Sequence, residues 1–391
     1  SAPGKVILFG EHAAVYGKTA IAGSLDELRT YALFEKRLDG YLELNLPDLG
    51  IRRALLWPTS ALPYNLVNNV EIKEPQKLKF NDILLHKIKS ILFEGQDQEL
   101  DHLQQTAACT FLYLYTNLEY NSQTSWSGMT IYFRSNLPIE SGLGSSASYS
   151  VCLVTGLLLA FGHILSPHES NEQAIKISRE LINLWAYQGE KVIHGSLSGI
   201  DNTVITSGGI IMFTDGVFQI QRSTKTLVSN VKTRLDKFPK IVNLILEAIH
   251  DIGESFKEIL ESEIKDDQEF YEKTEELVDM NHHLLNSLGV GHPSLDKVRE
   301  ITAQYDLHTK LTGAGGGGCA FTFVRNDVSK EQIKVVKNAL IASPHCFECY
   351  ETSLGGYGVG VLDASNGIGI QEFMKIEKNK LTEIIGWMYF V

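Results

Sequence analysis

The run Leu137-Pro138-Ile139-Glu140-Ser141-Gly142-Leu143-Gly144-Ser145-Ser146-Ala147 constrains this chain more than any other stretch. It follows Met129 to Arg134, whose alternating apolar and polar residues predict a strand. It precedes Ser146 to Phe161, apolar on nearly every side, which predicts a helix buried all round. A chain that passes from strand to buried helix through two glycines and two serines presents a helix N-terminus at a tight turn. Glycines let the backbone approach an anion, and the free N–H groups and dipole of the first helical turn point at it. Ser145 and Ser146 can cap the helix or reach a metal ion held by phosphates. The plain alternative is a glycine-rich turn with a serine cap. Gly142-x-Gly144-x-x-Ala147 also satisfies a relaxed dinucleotide fingerprint, yet that motif needs an acidic residue about 20 positions on. The first acidic residue after Ala147 is Glu169, beyond the helix. Gly17-Lys18-Thr19 looks like the end of a Walker loop, but His12 stands where the first glycine must be.

A second glycine run, Lys310-Leu311-Thr312-Gly313-Ala314-Gly315-Gly316-Gly317-Gly318-Cys319, lies between a helical pattern and a predicted strand, Ala320 to Val324. Ordering so many glycines is entropically costly. The run is therefore expected to approach the same ligand, or the first glycine turn, across a cleft rather than to serve as a linker. Elsewhere, Lys5 to Gly10 predicts a strand, and Tyr31 to Glu35 with Tyr41 to Leu46 a hairpin around Asp39-Gly40. Phe80 to Phe93, Leu103 to Leu118 and Glu169 to His194 have helical spacing; a further hairpin is expected around Asp215-Gly216 and a strand near Tyr350. From Val231 to Leu288 the chain is helical by periodicity and rich in Glu and Lys, so a domain boundary is placed near residue 220, giving 1–220 and 221–391. Hairpins mixed with helices, without regular strand–helix alternation, argue an α+β fold.

The chemistry expected at the glycine turns depends on charge. Glu190 ends a helix in Tyr187-Gln188-Gly189-Glu190, and Asp201 follows in a small-residue loop, His194 to Asn202. Lys5, in the turn Pro3-Gly4-Lys5, and the pair Glu11-His12 supply a cation and polar anchors. A cation for phosphates, a carboxylate for their metal and a residue to orient or deprotonate a hydroxyl are what phosphoryl transfer requires. Singly, Glu190 reads as a solvated helix residue, Asp201 as a turn former and Lys5 as surface. His282-His283 is expected to be solvated, Cys346-x-x-Cys349 lacks a second pair for zinc, and Trp57, Trp126 and Trp185 read as core anchors. A net charge of −12 without a basic cluster opposes a nucleic-acid partner. Five Cys at irregular spacing suit reduced thiols in the cytoplasm. The apolar stretch Val151 to Phe161 is too short for a bilayer. No segment reads as a signal peptide, and because the chain opens without Met, further residues are expected to precede it.

Three motifs, in order and spacing, resemble those of the GHMP kinases, the family of galactokinase, homoserine kinase, mevalonate kinase and phosphomevalonate kinase: Ser1 to His12, Leu137 to Tyr149 and Lys310 to Cys319. Glu190 to Asn202, Leu277 to Leu295 and Glu351-Thr352-Ser353-Leu354-Gly355 resemble the branch that phosphorylates mevalonate, and the likeness spans about residues 1 to 360. The resemblance implies a two-domain kinase fold. Its N-terminal domain is like a ribosomal-protein domain, its C-terminal domain is an α/β sandwich, and ATP and substrate meet in the cleft between them. It implies ATP and mevalonate as small-molecule substrates, Mg²⁺ as cofactor, a homodimer and no membrane partner. By motif match Glu140, Ser141, Gly142, Leu143, Gly144, Ser145 and Ser146 hold the ATP phosphates, with Lys5 and with Ser135 beside the nucleotide. Ser146 and Glu190 are the implied metal ligands. Asp201 is the implied base with Lys5 as its partner, and Glu11 and His12 lie toward mevalonate. A sister kinase or a ligand sensor without catalysis would share the glycine motifs, but a sensor should lack Lys5, Glu190 or Asp201. Three departures stand out. Asp48 occupies the place of an Asn near the adenine, the segment from Gly216 to Arg222 is short, and the tail beyond Asp363 matches nothing in the family pattern.

Overall fold

The computed structural model describes residues 1–51, 53–67, 79–92, 99–120, 122, 124, 126–195, 198–213, 225–262, 266–362 and 367–391. In its first half, β1 (Ala2–Phe9) and the long β2 (Ala20–Arg37) pair antiparallel. They are followed by β3 (Tyr41–Asn45), β4 (Leu55–Pro58), α1 (Asp82–Ile91), α2 (His102–Tyr120) and β5 (Gly128–Ser135). Then come α3 (Ser145–Ala160), α4 (Glu172–His194), α5 (Ile200–Ser207) and β6 (Ile210–Phe213). The sheet order is β1-β2-β5-β3-β4, with β6 alongside the opening of β2. The hairpin expected around Asp39-Gly40 is not formed. β5 lies between β2 and β3, antiparallel to the first and parallel to the second, so the chain at 38–40 steps across one strand instead of folding back. Apolar residues of β3, β4, α2, α3 and α4, among them Leu44, Trp57, Phe111, Leu157 and Trp185, form one core against the sheet. The all-round apolar character of α3 follows from its place between sheet and helices.

The polar helical stretch resolves into α6 (Lys225–Lys237), α7 (Pro239–Glu261) and α8 (Asp267–Ser287). Next come α9 (Pro293–Ala303), β7 (His308–Leu311), β8 (Ala320–Phe323) and α10 (Lys330–Ile341), then β9 (Gly360–Leu362), α11 (Ile370–Lys375) and β10 (Trp387–Tyr389). Val242, Leu246, Ile249, Leu285 and Leu311 make a second core. The two halves meet where Val6 and Leu8 of β1 pack on Ile252, Phe256 and Leu277. β7 was not anticipated, and it changes what the second glycine run is: the connection of an antiparallel pair, β7 with β8, not a helix-to-strand join. No strand forms at Tyr350; the chain there is irregular, with isolated bridges at Leu354 and Tyr357. The hairpin at Asp215-Gly216, the segment Gly216 to Arg222 and the boundary near 220 lie outside the described residues.

The tail returns to the first sheet. Phe373 and Leu381 pack on Tyr31, Phe390 enters the first core, and Arg134 donates to the carbonyls of Phe373 (2.6 Å) and Ile376 (2.5 Å). Among the described residues no helix is long and apolar enough to cross a membrane.

Candidate active site

A cleft of about 1110 Å³ runs from the N-terminus of α3 to the tail, and every site residue expected from the sequence except Leu143 lines it. Leu143 is buried behind the wall, and its carbonyl accepts the backbone N–H of Lys5 at 2.9 Å, which fixes β1 against the glycine turn. Gly144 opens α3 with φ +75°, and a Cβ there would stand 3.0 Å from Lys5 Cγ and 3.1 Å from Ile205 Cδ1. Both the left-handed backbone and the space exclude a side chain. No side chain caps α3, so neither Ser145 nor Ser146 plays the capping part that the plain alternative required. The first-turn N–H groups are left to the cleft, an anion-binding arrangement.

Lys5 is 3% exposed, and its Nζ lies 3.1 Å from Asp201 Oδ1. Asp201 is not in a loop. It sits in the first turn of α5, which forms because Gly199 takes a left-handed conformation before it and Ile200, Val204 and Ile205 bury their apolar face. The carboxylate keeps about a third of its side-chain surface, 35%, so a ligand in the cleft can reach it.

Glu190 is 2% exposed rather than solvated. Its Oε2 accepts from Ser146 Oγ at 3.2 Å and its Oε1 from Ser150 Oγ at 3.3 Å. Burial, then the negative charge of Asp201, pushes the Glu190 carboxyl up to about 8, against the two serines and Lys5. A carboxyl held up this far takes its charged form at neutral pH only when a cation joins it. His194, one turn further along α4, places Nε2 3.0 Å from Ser146 Oγ, and burial holds it below the ordinary histidine range. Sequence reading passed over His194; its signal was the four-residue spacing from Glu190, which puts both on one helix face.

Glu11 and His12 belong to the wall between the two halves. His12 Nε2 meets the Ala314 carbonyl at 2.8 Å, and burial keeps its ring below the usual pKa. The Glu11 carboxylate is fully buried, paired with the Lys310 ammonium and hydrogen-bonded by Asn281 Nδ2 at 3.1 Å. Burial raises Glu11 against the pull of Lys310. Removing one partner of such a pair strands the other charge, at a cost of about 3–5 kcal/mol. Lys310→Met should therefore lower the melting temperature sharply, and Lys310→Met with Glu11→Gln should recover part of the loss. An unchanged melting temperature for the single variant would refute this account. The second glycine run does meet the first, Cys319 N donating to Ser141 O at 3.2 Å, while Gly316 N donates to Val290 O, between α8 and α9, at 2.7 Å. Thr312 joins the halves too, its Oγ1 accepting from Ile7 N at 3.1 Å and donating to Ile7 O at 2.9 Å.

At the far end, Ser135 closes β5. Its N–H donates to Asp48 Oδ2 at 2.9 Å, and its carbonyl accepts from Lys378 Nζ at 2.8 Å. Lys378 also pairs with Asp48. The remaining weak candidates sort simply. His282 is buried, not solvated, held by Asp296 at 3.0 Å and Asn286 at 3.2 Å, while His283 is exposed. Cys346 and Cys349 are free thiols, and Trp57 and Trp185 are core.

The description "GHMP kinases N terminal domain" matches residues 106–209, and "GHMP kinases C terminal" matches 260–339. The chain is 41% identical over 387 residues to mevalonate kinase of Bos taurus, covering 94% of this chain and 95% of that protein. It is 36% identical over 388 residues to mevalonate kinase of Schizosaccharomyces pombe, covering 94% and 92%. Among solved structures it is similar to the Methanococcus jannaschii mevalonate kinase, with a TM-score of 0.59, 25% identity and 88% and 94% coverage. It also shares its fold with L. major mevalonate kinase in complex with R-mevalonate, with a TM-score of 0.61, 20% identity and 92% and 96% coverage.

Proposed function

This chain belongs to the mevalonate kinases of the GHMP kinase family, and we propose that it transfers the γ-phosphoryl group of ATP to the primary hydroxyl of mevalonate, giving 5-phosphomevalonate and ADP. The observation that carries the reaction type is the Lys5–Asp201 contact of 3.1 Å beside the uncapped N-terminus of α3 in one cleft. The acceptor follows from the relatives. ADP release should depend on added mevalonate, and galactose, homoserine or phosphomevalonate should not replace it. Release indifferent to mevalonate would overturn the reading.

In this reading the N–H groups at the start of α3 hold phosphate oxygens, and the glycine turns let the backbone close on them. Asp201 accepts the hydroxyl proton as the new O–P bond forms, and Lys5 offsets the negative charge that develops on that oxygen. Desolvation in the cleft strengthens each of these contacts.

Mg²⁺ fits the residues present. Among the described residues no group of three or more His, Cys, Asp and Glu could hold a metal by itself. Ser146 Oγ and the Glu190 carboxylate, which makes no ion pair among the described residues, form the kind of partial oxygen set that Mg²⁺ completes with phosphates and water. When bound, the ion would neutralise phosphate charge. Glu190→Gln should raise the Mg²⁺ concentration for half-maximal rate, and Ser146→Ala should do so more mildly, since water replaces a hydroxyl. Superimposable Mg²⁺ titrations for wild type and both variants would remove these two residues as ligands.

A further inference from the structure

The tail residue Lys378 has no part in phosphoryl transfer as described above, yet it lines the same cleft. β3 accompanies β5 only as far as the pairing of Asn45 with Tyr132, so beyond it β5 has a free edge on that side among the described residues. The chain leaves β3 through a short helical turn, Pro47–Leu49, that lays Asp48 along this edge. Ser135 N–H, the Asp48 carboxylate, the Lys378 ammonium and Ser135 C=O thereby close a ring of hydrogen bonds. The adjoining walls are Leu46, Leu49, Leu103, Ala107 and Phe133, an apolar slot of the kind that suits a flat base. Two nearby polar side chains are turned elsewhere: Arg134 to tail carbonyls, and the Tyr149 hydroxyl to Ala107 O at 3.0 Å. Ser135 is only a short loop upstream of the glycine turn, so a nucleotide with its phosphates at α3 has its base within reach of this ring.

We propose that Lys378 is a base-specificity residue: by occupying Asp48 at the free edge of β5, its ammonium keeps the carboxylate from pairing with guanine and leaves a mixed donor–acceptor edge for adenine. This rests on the nucleotide reading of the cleft. A free carboxylate presents two acceptors side by side, which match the neighbouring N1–H and N2–H donors of guanine. Adenine presents a donor amine beside a ring acceptor, so it needs a donor from the protein as well as an acceptor. Lys378, with one N–H beyond the two that hold Asp48 and Ser135 C=O, supplies the donor, and the remaining lone pairs of Asp48 supply the acceptor. Losing Lys378 therefore harms adenine and helps guanine at the same stroke.

The test compares ATP with GTP in kcat/KM at saturating mevalonate, and ADP with GDP in equilibrium binding by calorimetry. The proteins are wild type, Lys378→Met, Lys378→Arg and Lys378→Met/Asp48→Asn. The expected result is an ATP preference in wild type that falls about tenfold or more in Lys378→Met, through KM for the nucleotides, with KM for mevalonate unmoved. Lys378→Arg should keep the preference, because a guanidinium still holds Asp48. The double variant should lose the gain for GTP, because an amide cannot accept two N–H bonds at one edge. An unchanged ATP:GTP ratio in Lys378→Met overturns the proposal, as does a GTP gain that survives Asp48→Asn. Equal losses for ATP, GTP and mevalonate would make Lys378 a clamp for the tail only and would also overturn it. Wild-type protein that binds neither ADP nor GDP would overturn the nucleotide site itself, and this proposal with it.

Discussion

Asp201→Asn should remove most of kcat, by about 10² to 10⁴-fold, while ATP still binds with near-normal affinity. The amide has the shape of the carboxylate, and its oxygen can still accept from Lys5 Nζ, now 3.1 Å from Asp201 Oδ1. It cannot take a proton. Binding should survive because the phosphates are expected at the N–H groups of α3 and at the Mg²⁺ that Ser146 and Glu190 would hold, and Asp201 makes no hydrogen bond to any of these groups among the described residues. Stability should fall modestly, because the buried Lys5 loses its counter-charge while the apolar face of α5 is untouched. Single-turnover kinetics with calorimetric ATP binding separates the effects. Near-normal turnover would show that Asp201 is not the base. Lost ATP binding would show that its main work is electrostatic and in the ground state.

What the sequence disclosed about this site follows from how local each signal was. The turn from Leu137 to Ala147 was legible because strand, glycines and buried helix are consecutive, and the backbone there does what the glycines allow. Asp201 is legible as a residue of the cleft, but its setting is not: the glycines and serines before it mask an eight-residue helix whose apolar side faces the core. Long-range partners were not legible. Lys310 stands in a glycine motif, but that it neutralises Glu11, 299 positions away, depends on how β7 sits against β1. The hairpin between β2 and β3 failed for the same reason, because the strand that separates them, β5, comes more than 80 residues later. The tail offered no motif at all, and only packing brings Lys378 to Asp48. The burial of His282 is not legible, because a polar helix gives no sign of which of two adjacent histidines turns inward.

Lys5→Met should act on kcat rather than on KM for ATP, and its effect should merge with that of Asp201→Asn. Two roles compete for this ammonium. A lysine that mainly held phosphate would contribute about equally to ground and transition states, so its loss would raise KM and spare kcat. A lysine that stabilises the developing alkoxide would show its loss in kcat. The geometry favours the second role. Lys5 points across the cleft to Asp201, is tied by its backbone to Leu143 and packs on Gly144, so it stands between the start of α3 and the carboxylate. The phosphates already have a helix terminus and the Mg²⁺ that Ser146 and Glu190 would hold. Methionine keeps most of the stem's volume, so the buried position should remain filled, and the uncharged end relieves Asp201 of its partner without leaving a buried cation. Because the two groups are in contact, their losses should not multiply: the double variant Lys5→Met/Asp201→Asn should be little slower than the poorer single variant. The measurement is kcat for the four proteins at saturating ATP, mevalonate and Mg²⁺. Losses that multiply would mean that lysine and aspartate act independently, and the contact between them would then be structural, with no share in the proton transfer.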